Sequence, residues 1–386
     1  MGLPATTPDI RDARSMYPVT ESLAYFNTAA VGLASRDLAE AGRRFLDDWV
    51  TRGLDFVACE AAAERSRTSV AALLGGDAAD IALIPSVSAA AGLVAAQFGP
   101  AGAGESIVIG EREYSSNHFP WRLLAHKGYD VRQVPFRNGG LEPDDIELRV
   151  DGGTQLIAVS AVQTASGHRS DLGAVSAIAH EVGALLFVDG AQAAGAVDVA
   201  GDLAGIDVLA TPDHKFLMHA GRGQGYCHLS TRAQERFVPV GAGWRAGAVP
   251  FDSFFGPDMQ LSTTASRFDH SVSWLAAVGN EAALSAFARF GRDAVFARNC
   301  ELADMLRAAL AEAGWPPVGL PEVNRSTIVS VPLRGADPAQ LVADLRSRGV
   351  VCSARDGNLR FAVHFYNHED DIAALVRALA DVSDAR

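Results

Sequence analysis

Phe187-Val188-Asp189-Gly190-Ala191-Gln192 and, downstream of it, Ile206-Asp207-Val208-Leu209-Ala210-Thr211-Pro212-Asp213-His214-Lys215 are two short apolar runs that each end on charged or polar side chains. Runs of this length, closed at once by turn residues, read as buried strands of a parallel sheet. Asp189 then stands at the carboxyl end of its strand, where open α/β sheets bind ligands. The alternative is that it caps a following helix. Lys215 is isolated beside His214 and precedes a Gly-rich loop, Gly221-Arg222-Gly223-Gln224-Gly225. It is either a chemical group or a solvated surface lysine.

Outward from these two runs, apolar stretches alternate with Ala-rich helical ones. Strands are predicted at 81–85, 106–109, 155–160, 185–189, 208–210 and 225–229. Helices are predicted at 61–74, 88–98, 121–127, 172–182 and 233–236. That alternation marks βαβ units and a mostly parallel sheet. Residues 241–264 contain six Gly or Pro and read as a long connection. Beyond it, helices at 274–290, 294–313 and 338–348, strands at 327–331 and 359–363, and a final helix at 370–382 form a different unit. The expected fold class is α/β: an N-terminal arm (1–28), a large domain with a mostly parallel central sheet flanked by helices (29–260), and a smaller α+β C-terminal domain (261–386).

Composition narrows the function. The chain has 386 residues, 48% hydrophobic and 20% charged, with 37 Gly, which excludes collagen, a disordered tail and a disulfide-stapled miniprotein. Its formal charge is 33 − 46 = −13, and it has no basic run, so a nucleic-acid partner is not expected. Cys59, Cys227, Cys300 and Cys352 are scattered without metal-ligand spacing, as in reduced cytoplasmic proteins. The first residues lack the apolar core of a signal peptide, and no segment is apolar enough to span a bilayer. The Met1-Gly2 start fits an acylation pattern only by chance, because Pro4 follows and no basic patch accompanies it. A cytoplasmic, non-membrane protein is expected.

Several further stretches occur in order: Tyr25-Phe26-Asn27-Thr28-Ala29-Ala30, Glu113-Tyr114-Ser115-Ser116-Asn117-His118-Phe119-Pro120-Trp121, Ser160-Ala161-Val162-Gln163 with Gly167-His168-Arg169-Ser170-Asp171-Leu172, and Arg360-Phe361-Ala362-Val363-His364-Phe365-Tyr366-Asn367. Together with the Asp189 and Lys215 runs they resemble fold-type I pyridoxal-phosphate enzymes. Within these the resemblance is to the class V aminotransferase superfamily, which includes cysteine desulfurases, selenocysteine lyases, kynureninases and isopenicillin N epimerases.

The resemblance implies a cofactor, pyridoxal 5′-phosphate, and a job for each match. Lys215 would hold the cofactor and act as the base at Cα, which suits an amine whose pKa falls on desolvation. Asp189 would pair with the pyridinium nitrogen. Gln192 and Gln163 would stand near the phenolic oxygen, and Tyr114 would stack on the ring. Ser86, Val87 and Ser88, opening an Ala-rich helix, would cradle the phosphate with His214. Pro212 replaces a serine that binds this phosphate in desulfurases, and Thr211 is a substitute for it. Relatives complete the cradle with a threonine from the neighbouring subunit, which implies a homodimer with shared sites. Here that position is Val272, leaving Ser271 and Ser273. Arg360 would clamp the substrate carboxylate, and Asn27, Trp244, Arg245 and Arg355 are the other candidate substrate contacts. His118, His364 and Tyr366 are possible readers of the side chain.

Desulfurases carry a nucleophilic cysteine in an R-x-G-x-x-C-A loop. This chain has Val351-Cys352-Ser353-Ala354-Arg355-Asp356-Gly357-Asn358-Leu359-Arg360 instead, and Cys352 reads as a buried, inert thiol. The expected activity is that of a biosynthetic lyase cleaving the carbon–sulfur bond of cysteine or a cysteine S-conjugate. The rivals are an isopenicillin N epimerase-like epimerase, and a decarboxylating, deaminating or transaminating enzyme. A binding protein on a decayed enzyme fold is opposed by the intact Lys215, Asp189, Gln192 and Arg360. A Rossmann dehydrogenase is opposed by the lack of GxGxxG after the first strands. The spacing of His364 and His368 fits one helical turn, but the segment reads as a strand end, so no metal is expected.

Overall fold

The computed structural model describes residues 8–384 apart from 220, 257, 334 and 336. The Met1-Gly2 stretch lies outside the described residues. The strands are β1 (Ala24–Tyr25), β2 (Ile81–Ile84), β3 (Ser106–Gly110), β4 (Asp130–Val134), β5 (Thr154–Ser160), β6 (Leu185–Asp189), β7 (Val208–Pro212), β8 (Gly225–Leu229), β9 (Ile328–Pro332), β10 (Val350–Val351), β11 (Ser353–Arg355) and β12 (Asn358–Ala362).

Seven of them form one sheet in the order β2-β8-β7-β6-β5-β3-β4. From β7 to β4 all neighbours are parallel, and β8 alone runs against its neighbours β2 and β7. Because successive side chains of a strand point to opposite faces, each strand feeds two cores. Val108, Ile157, Leu186, Val188 and Leu209 pack on one face, and Ile107, Leu156, Phe187, Val208 and Ala210 on the other. Burial on both faces is why the strands read as continuous apolar runs. Each such buried Val, Leu, Ile or Phe contributes about 1.5–3 kcal/mol.

The edge strand β4 was not predicted. Its Asp130, Arg132 and Gln133 are at least partly exposed, so it carries no apolar periodicity, and a charged edge opposes pairing with another chain. The predicted helix at 121–127 is a single turn, Phe119–Arg122, continued by the 3₁₀ segment Leu123–Lys127. The helix Arg36–Arg52 was not predicted either, and the helix predicted from 61 starts at Phe56.

A second, antiparallel sheet, β11-β12-β9, carries the smaller unit. The stretch that follows the expected 260/261 division still packs on the large core. Ala277, Leu284 and Phe287 of the helix Trp274–Phe290 lie in the same core as Val108. Within the next helix, Arg292–Glu312, Val295 and Phe296 join that core, whereas Leu302, Leu306 and Leu310 join the core of the small sheet. The N-terminal segment ties the units together. Phe26 packs edge-on against Phe361 in the small core, Asn27 bridges to Ala362, and Ala29 and Leu33 enter the large core.

Candidate active site

A cavity of about 270 Å³ opens at the carboxyl ends of β6 and β7, between the central sheet and the small unit. Asp189 and Ala210 are register partners at the ends of adjacent parallel strands, and Ser160 ends β5 beside Asp189. Lys215 follows β7 in a tight loop closed by hydrogen bonds from Met218 N to Lys215 O (3.0 Å) and from His219 N to Asp213 O (3.2 Å). Two glycines let other backbone approach this loop. A Cβ on Gly32 would meet the Lys215 carbonyl at 2.4 Å, and Gly195, at φ +84°, faces the Phe216 carbonyl equally closely. His364 Nε2 reaches that same Phe216 carbonyl at 2.9 Å from the small unit.

The electrostatics favour a reactive amine. Burial pulls the Lys215 ammonium from 10.5 down to about 8; Asp189 opposes this, and Arg360, Arg222 and Arg355 add to it. Burial raises the Asp189 carboxyl, opposed by Lys215 and by the Ala191 N–H, which donates to Oδ1 at 2.9 Å. The Tyr114 ring lies with its centroid 5.6 Å from Lys215 Nζ.

Arg360 on β12 is 1% exposed. Its Nη1 donates to the Thr164 carbonyl (3.0 Å) and hydroxyl (2.8 Å), and its Nε to Ser353 Oγ (3.2 Å). Among the described residues its Nη2 is buried without a partner. A half-satisfied buried guanidinium is a costly arrangement unless an anion completes it. Burial and the nearby Arg355 push its pKa down to about 9, so it stays charged at neutral pH.

Ser86 caps the helix Val87–Ala95 through Ala89 N at 3.1 Å, and Ser86, Val87 and His214 line the cavity. Ser88 does not; its hydroxyl contacts Ser86 Oγ at 3.0 Å. Pro212 lines the cavity but offers no donor, and the Thr211 hydroxyl is spent on the Pro212 carbonyl at 3.3 Å. Ser273 caps its own helix, and Val272 packs against the large core.

Other expected contacts are placed elsewhere. Gln163 donates to Glu113 Oε1 at 2.8 Å and does not line the cavity. Gln192 donates to the Ala29 carbonyl (3.1 Å) and the Thr164 hydroxyl (2.9 Å), so its buried free atom is Oε1, an acceptor. Asn27 also keeps a buried, unpartnered Oδ1 outside the lining, while Ala29, Ala30 and Val31 line it. Trp244 and Arg245 lie apart from this cavity. The Arg245 guanidinium is consumed by Glu60, Glu64 (3.0 Å) and Asp269 (3.2 Å), and Trp244 packs on Phe254. His118 is bonded to the Gly110 carbonyl at 3.2 Å, and Tyr366 to Thr28. Arg355 does line the cavity.

Three residues escaped the sequence reading. Thr164 holds both Arg360 and Gln192. Arg222, from the Gly-rich loop, lines the cavity. Glu113 is buried, and burial raises its carboxyl to about 7 despite bonds from Ser160 N (3.0 Å), Ser160 Oγ and Gln163. Its placement at a motif start was the only available signal.

The chain matches the Aminotransferase class-V family over residues 24–375. It belongs to that family. It is 28% identical to isopenicillin N epimerase of Streptomyces clavuligerus, covering 96% of this chain and 98% of that one. It is 27% identical to a probable cysteine desulfurase of Methanothermobacter thermautotrophicus, covering 83% of each. Its fold matches that of C-DES, solved with glycine covalently linked to its PLP cofactor, with a TM-score of 0.85 at 18% identity over 97% of this chain and all of the other. The fold is thus the fold-type I, PLP-dependent one, and the cofactor is pyridoxal 5′-phosphate. The buried Asp189 beside Lys215, the helix start at Ser86 and the open Arg360 Nη2 fit that group and an amino acid bound to it.

Among the described residues no helix is long and apolar enough to cross a membrane, and none of the four cysteines lines the cavity. Cys352 is buried, and burial pushes its thiol up to about 12.

Proposed function

We propose that this class V enzyme is a lyase that cleaves the carbon–sulfur bond of cysteine or a cysteine S-conjugate without forming a persulfide on a thiol of its own. The observation that carries this reading is one cavity holding Lys215, Asp189 and the open edge of Arg360, with no cysteine in its lining.

When bound, the cofactor supplies an electron sink conjugated to Cα. Arg360 Nη2 takes one oxygen of the substrate α-carboxylate and fixes the orientation of Cα. Lys215 would hold the cofactor, and its neutral amine would take the Cα proton; a pKa near 8 leaves a useful fraction of free base at neutral pH. Asp189 would hold the cofactor's ring nitrogen with its negative charge, and Tyr114 would offer an aromatic face to the ring. Ser86, the Val87 N–H and His214 would serve the phosphate at the start of a helix. The Cβ–S bond breaks with its electron pair leaving on sulfur, which takes up a proton and departs as a thiol, or as hydrogen sulfide from cysteine itself; one water then hydrolyses the remaining three-carbon imine to pyruvate and ammonia.

Epimerisation is the second reading, favoured by near full-length similarity to an isopenicillin N epimerase. It needs only proton removal and return at Cα. Incubation with an S-alkylcysteine separates the two. Pyruvate and free thiol support the lyase, whereas recovery of the intact amino acid with inverted Cα supports the epimerase. A homodimer that shares its sites is part of the proposal, and analytical ultracentrifugation should give twice the chain mass.

A further inference from the structure

Once each group of the proposed site is matched to a partner, the cavity still holds cations to spare. Its wall carries Lys215, Arg222, Arg355 and Arg360 against a single carboxylate, Asp189. Asp356, next to Arg355 in sequence, pairs instead with Arg112, and the Arg355 side chain bonds only to the Ala354 carbonyl, at 2.7 Å, among the described residues. Arg355 and Arg360 also share one face of the small sheet. Ser353 is the register partner of Arg360, and Arg355 lies two residues further along the same strand. Such diagonal neighbours stand about 7–8 Å apart at their Cα atoms. Two guanidinium groups so placed repel each other unless anions lie between or beside them.

We propose that the substrate is an α-amino acid whose side chain carries a second carboxylate, with Arg360 taking the α-carboxylate and Arg355 the distal one. This rests on the reading of the cavity as the cofactor and substrate site. Combined with carbon–sulfur cleavage, it points to S-(carboxyalkyl)cysteines. Arg222, on the loop that follows Lys215, is the remaining cation and can serve the cofactor phosphate.

The test titrates the cofactor-loaded protein with matched acids and amides and follows the cofactor absorbance: S-carboxymethylcysteine against S-carbamoylmethylcysteine, and glutamate against glutamine. The acids are expected to bind about 10- to 100-fold more tightly than their amides, the size of one charge-assisted contact. Arg355→Gln is expected to bring the acids to the level of the amides while the cofactor absorbance is retained. Equal affinities in the unaltered protein, or no response to either member of both pairs, overturn the substrate class. Loss of cofactor from Arg355→Gln overturns it too, by making Arg355 a phosphate contact. A protein that never acquires cofactor absorbance overturns the underlying reading of the cavity itself.

Discussion

Lys215 Nζ lies 5.6 Å from the centroid of the Tyr114 ring, so an amine at the end of β7 and an aromatic face following β3 meet across the cavity. The space is flat on one side and basic on the other. Asp189 stands at the adjacent strand end and supplies the one carboxylate among the described lining residues. Lys215→Ala is expected to keep the fold, because the side chain makes no described hydrogen bond, and to abolish turnover. Circular dichroism and a product assay check the two halves.

The amine should also set the pH dependence of cofactor uptake. Its pKa in the folded protein is lowered to about 8, so it is protonated and unreactive below that pH and a free nucleophile above it. The rate at which the apoprotein acquires cofactor absorbance should therefore rise with pH, with a midpoint near 8 rather than near 10.5.

Arg360→Ala should weaken substrate binding by about 10- to 150-fold, the equivalent of one charge-assisted bond, with cofactor retained. Thr164→Val should have a smaller effect of the same kind, about 2- to 10-fold, since it removes one of the two acceptors that orient Nη1 and leaves the Thr164 carbonyl in place. Absorbance titration with an amino acid measures both.

Glu113 links the loop after β3 to the end of β5 through Ser160 and Gln163. Its pKa is raised from 4.5 to about 7 on folding, so the folded state holds more protons than the unfolded chain between those values. Stability from this group is present below pH 4.5 and is lost as pH rises through 7. Glu113→Gln keeps the Oε1 acceptor for Ser160 N and Gln163, gives up the Oε2 acceptor of Asn117 Nδ2 (3.3 Å) at every pH, and removes the titration. Its melting temperature should gain on the unaltered protein at pH 8 and match it more closely at pH 5.

Cys352→Ala should leave turnover unchanged, because the thiol is buried, outside the cavity and held far from its ionised form. Loss of activity would return the persulfide mechanism to consideration.

The strands that carry the site were legible because burial on both faces makes them continuous apolar runs ending in lone charged groups, as at Asp189 and Lys215. β4 was not, since an exposed edge carries polar residues. Arg360 and Arg355, which line the cavity, drew notice only through the resemblance of their segment to the family, whereas Thr164 acts through a contact 196 positions away in sequence. Arg245 lies apart from the cavity, although a cation in a Gly-rich connection reads as a substrate contact until its partners are known. Glu60, Glu64 and Asp269 come from distant segments, and only folding brings them to it.

The most direct test of the site is to reduce the cofactor-loaded protein with borohydride and map the labelled peptide by mass spectrometry. The chain has two lysines, Lys127 and Lys215, and the Lys127 ammonium is occupied by the Phe98 carbonyl at 2.5 Å and the Ala95 carbonyl at 3.3 Å. The account predicts a phosphopyridoxyl group on Lys215 alone. A label on Lys127, or none on either lysine, would contradict it.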